Sequence, residues 1–246
     1  MINNNVLDMI GNTPMIKLNN IGNSNLYVKL EKYNPAGSIK DRAVYYMVEN
    51  LEKNELLKKG DVLVEATSGN TGIALSMIGS LKGYKVIIVM PETMSIERRT
   101  LMKAYGAKFI LTDGSLGMKG SIEMMNKLLS ENTNYISLKQ FENEYNPLAH
   151  YETTGVEIYS QVKDIDIFVC GVGTGGTISG VGKYLKEQNP NIRVVAVEPE
   201  GSPVISKNKK GSHKIQGIGA GFIPKNYNKN VVDEVITITD EESYEG

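Results

Sequence analysis

Three segments of the chain hold residue types and spacings that could do chemistry. Asn34-Pro-Ala-Gly-Ser-Ile-Lys-Asp-Arg42 puts a lysine after a turn formed by Pro35 and Gly37, where the run Ala43 to Leu51 predicts a helix. A cation at a helix N-terminus opposes the helix dipole, so the site favours the neutral amine that a Schiff-base lysine requires. Taken alone, Lys40 is more often a solvated lysine in a first helical turn. Thr67-Ser-Gly-Asn-Thr-Gly72 joins a predicted strand to a predicted helix. It offers amides and hydroxyls that would hold a carboxylate or a phosphate. An ordinary capped turn needs only one such group, and here several stand in a row. Gly171-Val-Gly-Thr-Gly-Gly-Thr177 also leads from strand to helix. Its glycines would let amides approach a phosphate, with Thr174 and Thr177 adding hydroxyl donors. The same segment satisfies a dinucleotide fingerprint through Gly171, Gly173 and Gly176. Glu198 stands at the end of the next strand, where a ribose-binding acid belongs, so both readings stay open on this segment.

The other reactive residue types are few. Cys170 ends an apolar strand and is expected to be buried and inert. His150 follows Pro147 in a predicted helix and reads as a capping or surface residue. His213 sits in a polar loop and reads as solvated. Gln140, by itself, reads as a surface residue. Two histidines and one cysteine cannot make an ordinary structural zinc site, and no metal is expected. They also leave little room for a histidine-centred triad, so acid–base work falls to another residue.

The elements that must position these segments alternate. Strands are predicted over 61–66, 85–90, 108–112, 165–170, 192–198 and 232–239, with helices over 72–82, 96–105, 119–129 and 178–186 between them. That order predicts an α/β fold with parallel sheets covered by helices on both faces. The turn-forming residues Asn143 to Pro147 are the best candidate for a break between two α/β lobes. After the last strand, Thr239 and Glu242 have the spacing of a capping box. The helix it would open has no body before Gly246, so an incomplete C-terminus is expected.

The balance of the chain excludes several classes. With 41% hydrophobic and 22% charged residues and a net charge of −1, nothing points to nucleic acid or to a charged tail. The apolar runs are too short to span a bilayer, and no signal peptide opens the sequence. A single cysteine rules out an intrachain disulfide framework and fits the reducing cytoplasm.

The three segments occur together with Gly11-Asn-Thr-Pro14, Met90-Pro-Glu-Thr-Met-Ser-Ile-Glu-Arg-Arg99, Gln140-Phe-Glu-Asn143 and Ile215-Gln-Gly-Ile-Gly-Ala-Gly221. In this order they resemble the cysteine synthase/cystathionine β-synthase family of fold-type II pyridoxal-phosphate (PLP) enzymes, and within it the O-acetylserine sulfhydrylases. The resemblance spans the chain and selects the PLP-phosphate reading of the glycine loop. It implies two three-layer α/β/α lobes of the tryptophan synthase β type. Residues 41–144 would form a smaller, mobile substrate-clamping domain, and 1–40 with 145–246 a larger PLP-binding domain, incomplete at its C-terminus.

By the same resemblance, Lys40 is the catalytic Schiff-base lysine and proton carrier, Asn70 meets the PLP 3′-oxygen, and Gly173, Thr174, Gly175, Gly176 and Thr177 hold the phosphate. Thr67, Ser68, Gly69, Thr71 and Gln140 bind the substrate carboxylate, and Gly217 lies beside its amino group. The implied reaction is β-replacement, making L-cysteine from O-acetyl-L-serine and sulfide through an aminoacrylate. Serine- or cysteine-using β-synthases and desulfhydrases are the nearest alternatives. A non-catalytic relative or a nucleotide-binding oxidoreductase are alternatives of another class. A cytoplasmic homodimer, with serine acetyltransferase as a partner, is also implied. Glu144 stands where many relatives have proline. The family's hydroxyl residue at the pyridine nitrogen falls beyond residue 246.

Overall fold

The computed structural model describes residues 3–19, 21 and 25–245. Met1, Ile2 and Gly246, at the expected domain ends and at the expected stop, lie outside the described residues. The chain forms two compact units, Met1–Lys139 and Gln140–Gly246.

The first unit opens with an antiparallel hairpin of β1 (Met15–Leu18) and β2 (Leu26–Lys29). α1 (Lys40–Lys53) follows, then β3 (Val62–Ala66), α2 (Asn70–Leu81), β4 (Lys85–Pro91), α3 (Ile96–Ala104), β5 (Lys108–Thr112), α4 (Gly117–Glu131) and the short β6 (Tyr135–Ile136). The four strands pair in the order β5-β4-β3-β6, all parallel. β-Branched side chains drive this sheet: Val62, Val64 and Val89 are buried and pack with Met124, Met125 and Leu128 of α4. α2 is buried along most of its length because it contacts both β4 and α1.

The second unit holds α5 (Tyr145–Ala149), a π-helical turn (His150–Thr154) and α6 (Gly155–Gln161) in one continuous run. β7 (Ile167–Gly171), α7 (Gly176–Gln188), β8 (Arg193–Pro199), α8 (Val204–Lys207), β9 (Glu234–Ile238) and α9 (Glu242–Glu245) complete it. Its sheet is parallel in the order β7-β8-β9. Val172, Ile178, Val194 and Ala196 form its core, with α7 laid along β7 and β8.

The α/β alternation with parallel sheets is as the sequence implied. The capping box closes as expected: the Glu242 carboxylate accepts from Thr239 N at 2.9 Å, and Glu242 N donates to Thr239 Oγ1 at 3.1 Å. The compact units group residues 1–40 with 41–139, which differs from the division implied by resemblance. The reason is local. Arg42 of α1 donates to both oxygens of Glu31, at 2.8 and 2.9 Å, and to Thr13 Oγ1 at 3.2 Å.

Glu65 is buried in β3 and accepts hydrogen bonds from Ser137 Oγ and Leu138 N, both at 3.1 Å. Burial outweighs those two bonds and pushes its carboxyl up to about 7 from an ordinary 4.5. Between these two values the folded protein keeps a proton that the unfolded chain has released. Glu65 therefore contributes stability that is full below 4.5 and is lost as pH rises through 7. Glu65→Gln stays neutral at every pH. Its stability relative to the parent is expected to be about 2 kcal/mol more favourable at pH 8 than at pH 5, read from urea unfolding midpoints. An unchanged difference between the two pH values would show that Glu65 ionises freely in the folded state.

Candidate active site

Lys40 is the first residue of α1 and is half-buried. Its turn is held by an interlocked set of bonds. Gly11 N donates to Asn34 Oδ1 at 2.8 Å, Asn34 Nδ2 donates to Glu31 Oε2 at 2.8 Å, and Thr13 Oγ1 donates to Glu31 Oε1 at 2.6 Å. The Gly11–Pro14 motif and the lysine motif are thus one structure. Asp41, beside the lysine, accepts from Ala36 N at 2.6 Å through Oδ2, while its buried Oδ1 has no partner. Burial pushes the Asp41 carboxyl up to about 6, against the Ala36 bond.

The Thr67–Thr71 loop leads from β3 into α2. Thr67 and Thr71 are buried, Ser68 and Gly69 are half-buried, and Asn70 is exposed. Gly69 is the N-cap of α2 and, as a glycine, makes no side-chain capping bond. Arg98 of α3 donates to Ser68 O at 3.3 Å, and Arg99 donates to Met94 O and Glu92 O, both at 2.7 Å. The Met90–Arg99 motif therefore braces this loop and its own turn, a role that sequence reading missed. α1 and α2, which begin at Lys40 and Asn70, pack against each other within the unit.

The other expected site residues lie in the second unit. Gly173 to Thr177 cross from β7 into the 13-residue α7. The backbone here is bare because side chains do not fit. A Cβ at Gly173 would stand 2.3 Å from Gly217 O, and one at Gly176 would stand 2.0 Å from Asn146 Oδ1. Gly175 has φ +80°, in the left-handed region, and caps α7. Gly217 is exposed and has φ +89°, and Gly219 N donates to Val172 O at 2.9 Å, so the Ile215–Gly221 motif lies along the glycine loop. Gln140 is buried, unlike the surface position expected from its neighbours. Its carbonyl accepts from Asn146 Nδ2 at 2.7 Å and Asn226 Nδ2 at 2.8 Å.

Three expectations are corrected. His150 is buried in the π turn. Its Nδ1 lies 3.0 Å from Thr154 Oγ1 and its Nε2 lies 3.3 Å from Thr177 Oγ1, so it supports the glycine loop. His213 is half-buried with Nε2 at 3.0 Å from Gly219 O, because the motif loop folds over it. Cys170 is partly exposed, since alternate residues of β7 face different environments. Glu198 also settles against the ribose role. Its carboxylate accepts from Ile205 N, Ser206 N and Ser206 Oγ at 2.8, 2.9 and 2.5 Å, which fills it with the start of α8.

A bare glycine loop at a helix start, with a threonine hydroxyl at its centre, fits a phosphate-bearing cofactor. An α/β chain that carries such a loop and, in its other unit, a lysine at a helix start has features that the class of phosphate-anchored cofactor enzymes requires. The chain belongs to the pyridoxal-phosphate dependent enzyme family, whose model matches residues 6–246. It is 51% identical to the cysteine synthase of Staphylococcus aureus strain Mu50, over 98% of this chain and 79% of that protein. Among solved structures, a hydrogen sulfide-producing enzyme from Fusobacterium nucleatum matches with TM-score 0.95 and 49% identity, covering 100% of this chain and 82% of that one. A cysteine synthase from Entamoeba histolytica matches with TM-score 0.96 and 45% identity, covering 99% and 75%. The chain is thus an α/β PLP enzyme acting on small molecules. Among the described residues, no helix is long and apolar enough to cross a membrane.

Proposed function

We propose that the protein carries out β-replacement, making L-cysteine from O-acetyl-L-serine and sulfide. The observation that carries this reading is the likeness to cysteine synthases at about half identity along nearly the whole chain. Bound PLP supplies an electron sink for the substrate's α-carbon. The chain's own residues do the rest. Lys40 would hold the cofactor through its amine and would carry the substrate's α-proton. Gly173 to Thr177 would hold the phosphate, Asn70 would orient the ring, and Gly217 would face the substrate amine. Thr67, Ser68, Gly69, Thr71 and Gln140 hold its carboxylate. By resemblance alone, 41–144 is the smaller, substrate-clamping domain and 1–40 with 145–246 the larger, PLP-binding one. The working form is a cytoplasmic homodimer that takes serine acetyltransferase as a partner; family resemblance supports both, and the single cysteine supports the compartment.

A second reading is sulfide release from cysteine, favoured by the 49% identity to the sulfide-producing enzyme of F. nucleatum. The test supplies O-acetylserine with sulfide, or cysteine alone, and quantifies cysteine and sulfide. Faster cysteine formation supports the first reading, and faster sulfide release the second. Gln140→Ala separates the residue roles in the same assay. It should keep the resting visible spectrum and raise KM for the amino-acid substrate roughly tenfold, the cost of one charge-assisted hydrogen bond. A variant that lost its cofactor and kept its KM would reverse the assignment.

A further inference from the structure

We infer that Asn146 is a positioning residue for the cofactor phosphate, because it fixes the Thr174 hydroxyl as an outward donor and pins Gln140 to the same loop. The inference rests on the phosphate-loop reading above and names the device behind it. Asn146 is 1% exposed, at the start of α5. Its Nδ2 lies 2.7 Å from Gln140 O and 3.0 Å from Thr174 Oγ1. A carbonyl oxygen can only accept, so the bond to Gln140 O fixes which end of the amide faces it. The same NH2 group therefore donates to Thr174 Oγ1. With that oxygen accepting, the Thr174 proton is directed to a different partner.

The orientation is held against a cost. Asn146 Oδ1 is buried with no partner, pressed toward Gly176, where a Cβ would stand 2.0 Å away. A buried acceptor left unpaired is unfavourable, so satisfying Asn146 itself does not explain the arrangement. What the arrangement secures is the donor end, which serves a loop hydroxyl and the Gln140 carbonyl together. Asn226 Nδ2 fills the second lone pair of that carbonyl at 2.8 Å. A phosphate dianion offers only acceptors, so a neighbouring hydroxyl is useful to it only as a donor. Thr174 is in that state before any ligand arrives, and the ordering is done by the fold.

Asn146→Asp keeps the shape and replaces the donor with an acceptor, which turns the Thr174 hydroxyl inward. Apoprotein prepared from holoenzyme is titrated with PLP and with pyridoxal, which lacks the phosphate. The variant is expected to lose roughly tenfold or more in PLP affinity, about one charge-assisted hydrogen bond, with pyridoxal affinity nearly unchanged. Thr174→Val should give the same selective loss, and adding Asn146→Asp to it should cost little more. If the aspartate variant does not fold, Asn146→Ala is read instead, with a smaller loss of the same kind. Equal losses on both ligands, or additive losses in the double variant, would overturn the role of Asn146. If Thr174→Val itself left the ratio of PLP to pyridoxal affinity unchanged, the phosphate-loop reading would fail and this inference with it.

Discussion

Lys40→Ala is expected to cut turnover by ~10³-fold or more, since the proposed function gives one side chain both the covalent hold and the proton transfer. The structure makes this a clean substitution. Lys40 opens α1 on a turn held by the Asn34–Glu31, Arg42–Glu31 and Ala36–Asp41 bonds, which join other residues of that turn. Alanine is the best helix former, so α1 should persist. The loss should therefore appear as missing chemistry with unfolding midpoints near the parent's. The checks are steady-state turnover, the visible absorption of the purified protein, and mapping of the borohydride-reduced parent. A reduced cofactor found on another lysine, or a variant with a tenth of parental turnover, would move the role elsewhere.

Gly176→Val is expected to lower PLP affinity by about two orders of magnitude or more, through steric exclusion and loss of the loop shape. A Cβ at this position falls 2.0 Å from Asn146 Oδ1, in a buried setting where neither side can retreat freely. Gly175→Ala should act in the same direction by a second route. It must hold φ +80° and would bring a Cβ within 2.8 Å of Tyr227 N. Gly83 is the control. It has φ +81°, is exposed and has nothing within 4 Å of the added Cβ, so Gly83→Ala carries the backbone strain without the collision. Cofactor titration of all three variants should rank Gly176→Val weakest and leave Gly83→Ala with parental PLP affinity. Parental affinity in both loop variants would remove the loop from the phosphate site.

The two experiments address the parts of the site that were legible before any fold was known. β3, β4 and β8 were legible because a parallel strand buried on both faces reads as a continuous β-branched run, and β5 and β7 because each is a short apolar run bounded by turn residues. The helices that start at Lys40, Asn70 and Gly176 were legible, with starts expected at 43, 72 and 178, because turn residues and glycines sit just before apolar helical spacing. The hairpin of β1 and β2 was not, since both strands are largely exposed and the alternation of a half-buried strand is absent.

The sequence by itself determined where a glycine loop, a lysine turn and a polar loop stand in the chain, because each is a local arrangement of a few neighbouring residues. Only the tertiary structure decided what holds them. Asn146 meets Thr174 across 28 positions, Asn226 meets Gln140 across 86, and His150 meets Thr177 across 27. In sequence, Asn146 fell in a candidate domain break, His150 read as a capping or surface residue, and Asn226 carried no signal. A side-chain amide or imidazole has no preferred partner until packing removes water and leaves one acceptor or donor in reach. That selection is made by the packing of α5 and the π turn against α7, which no short window of sequence contains.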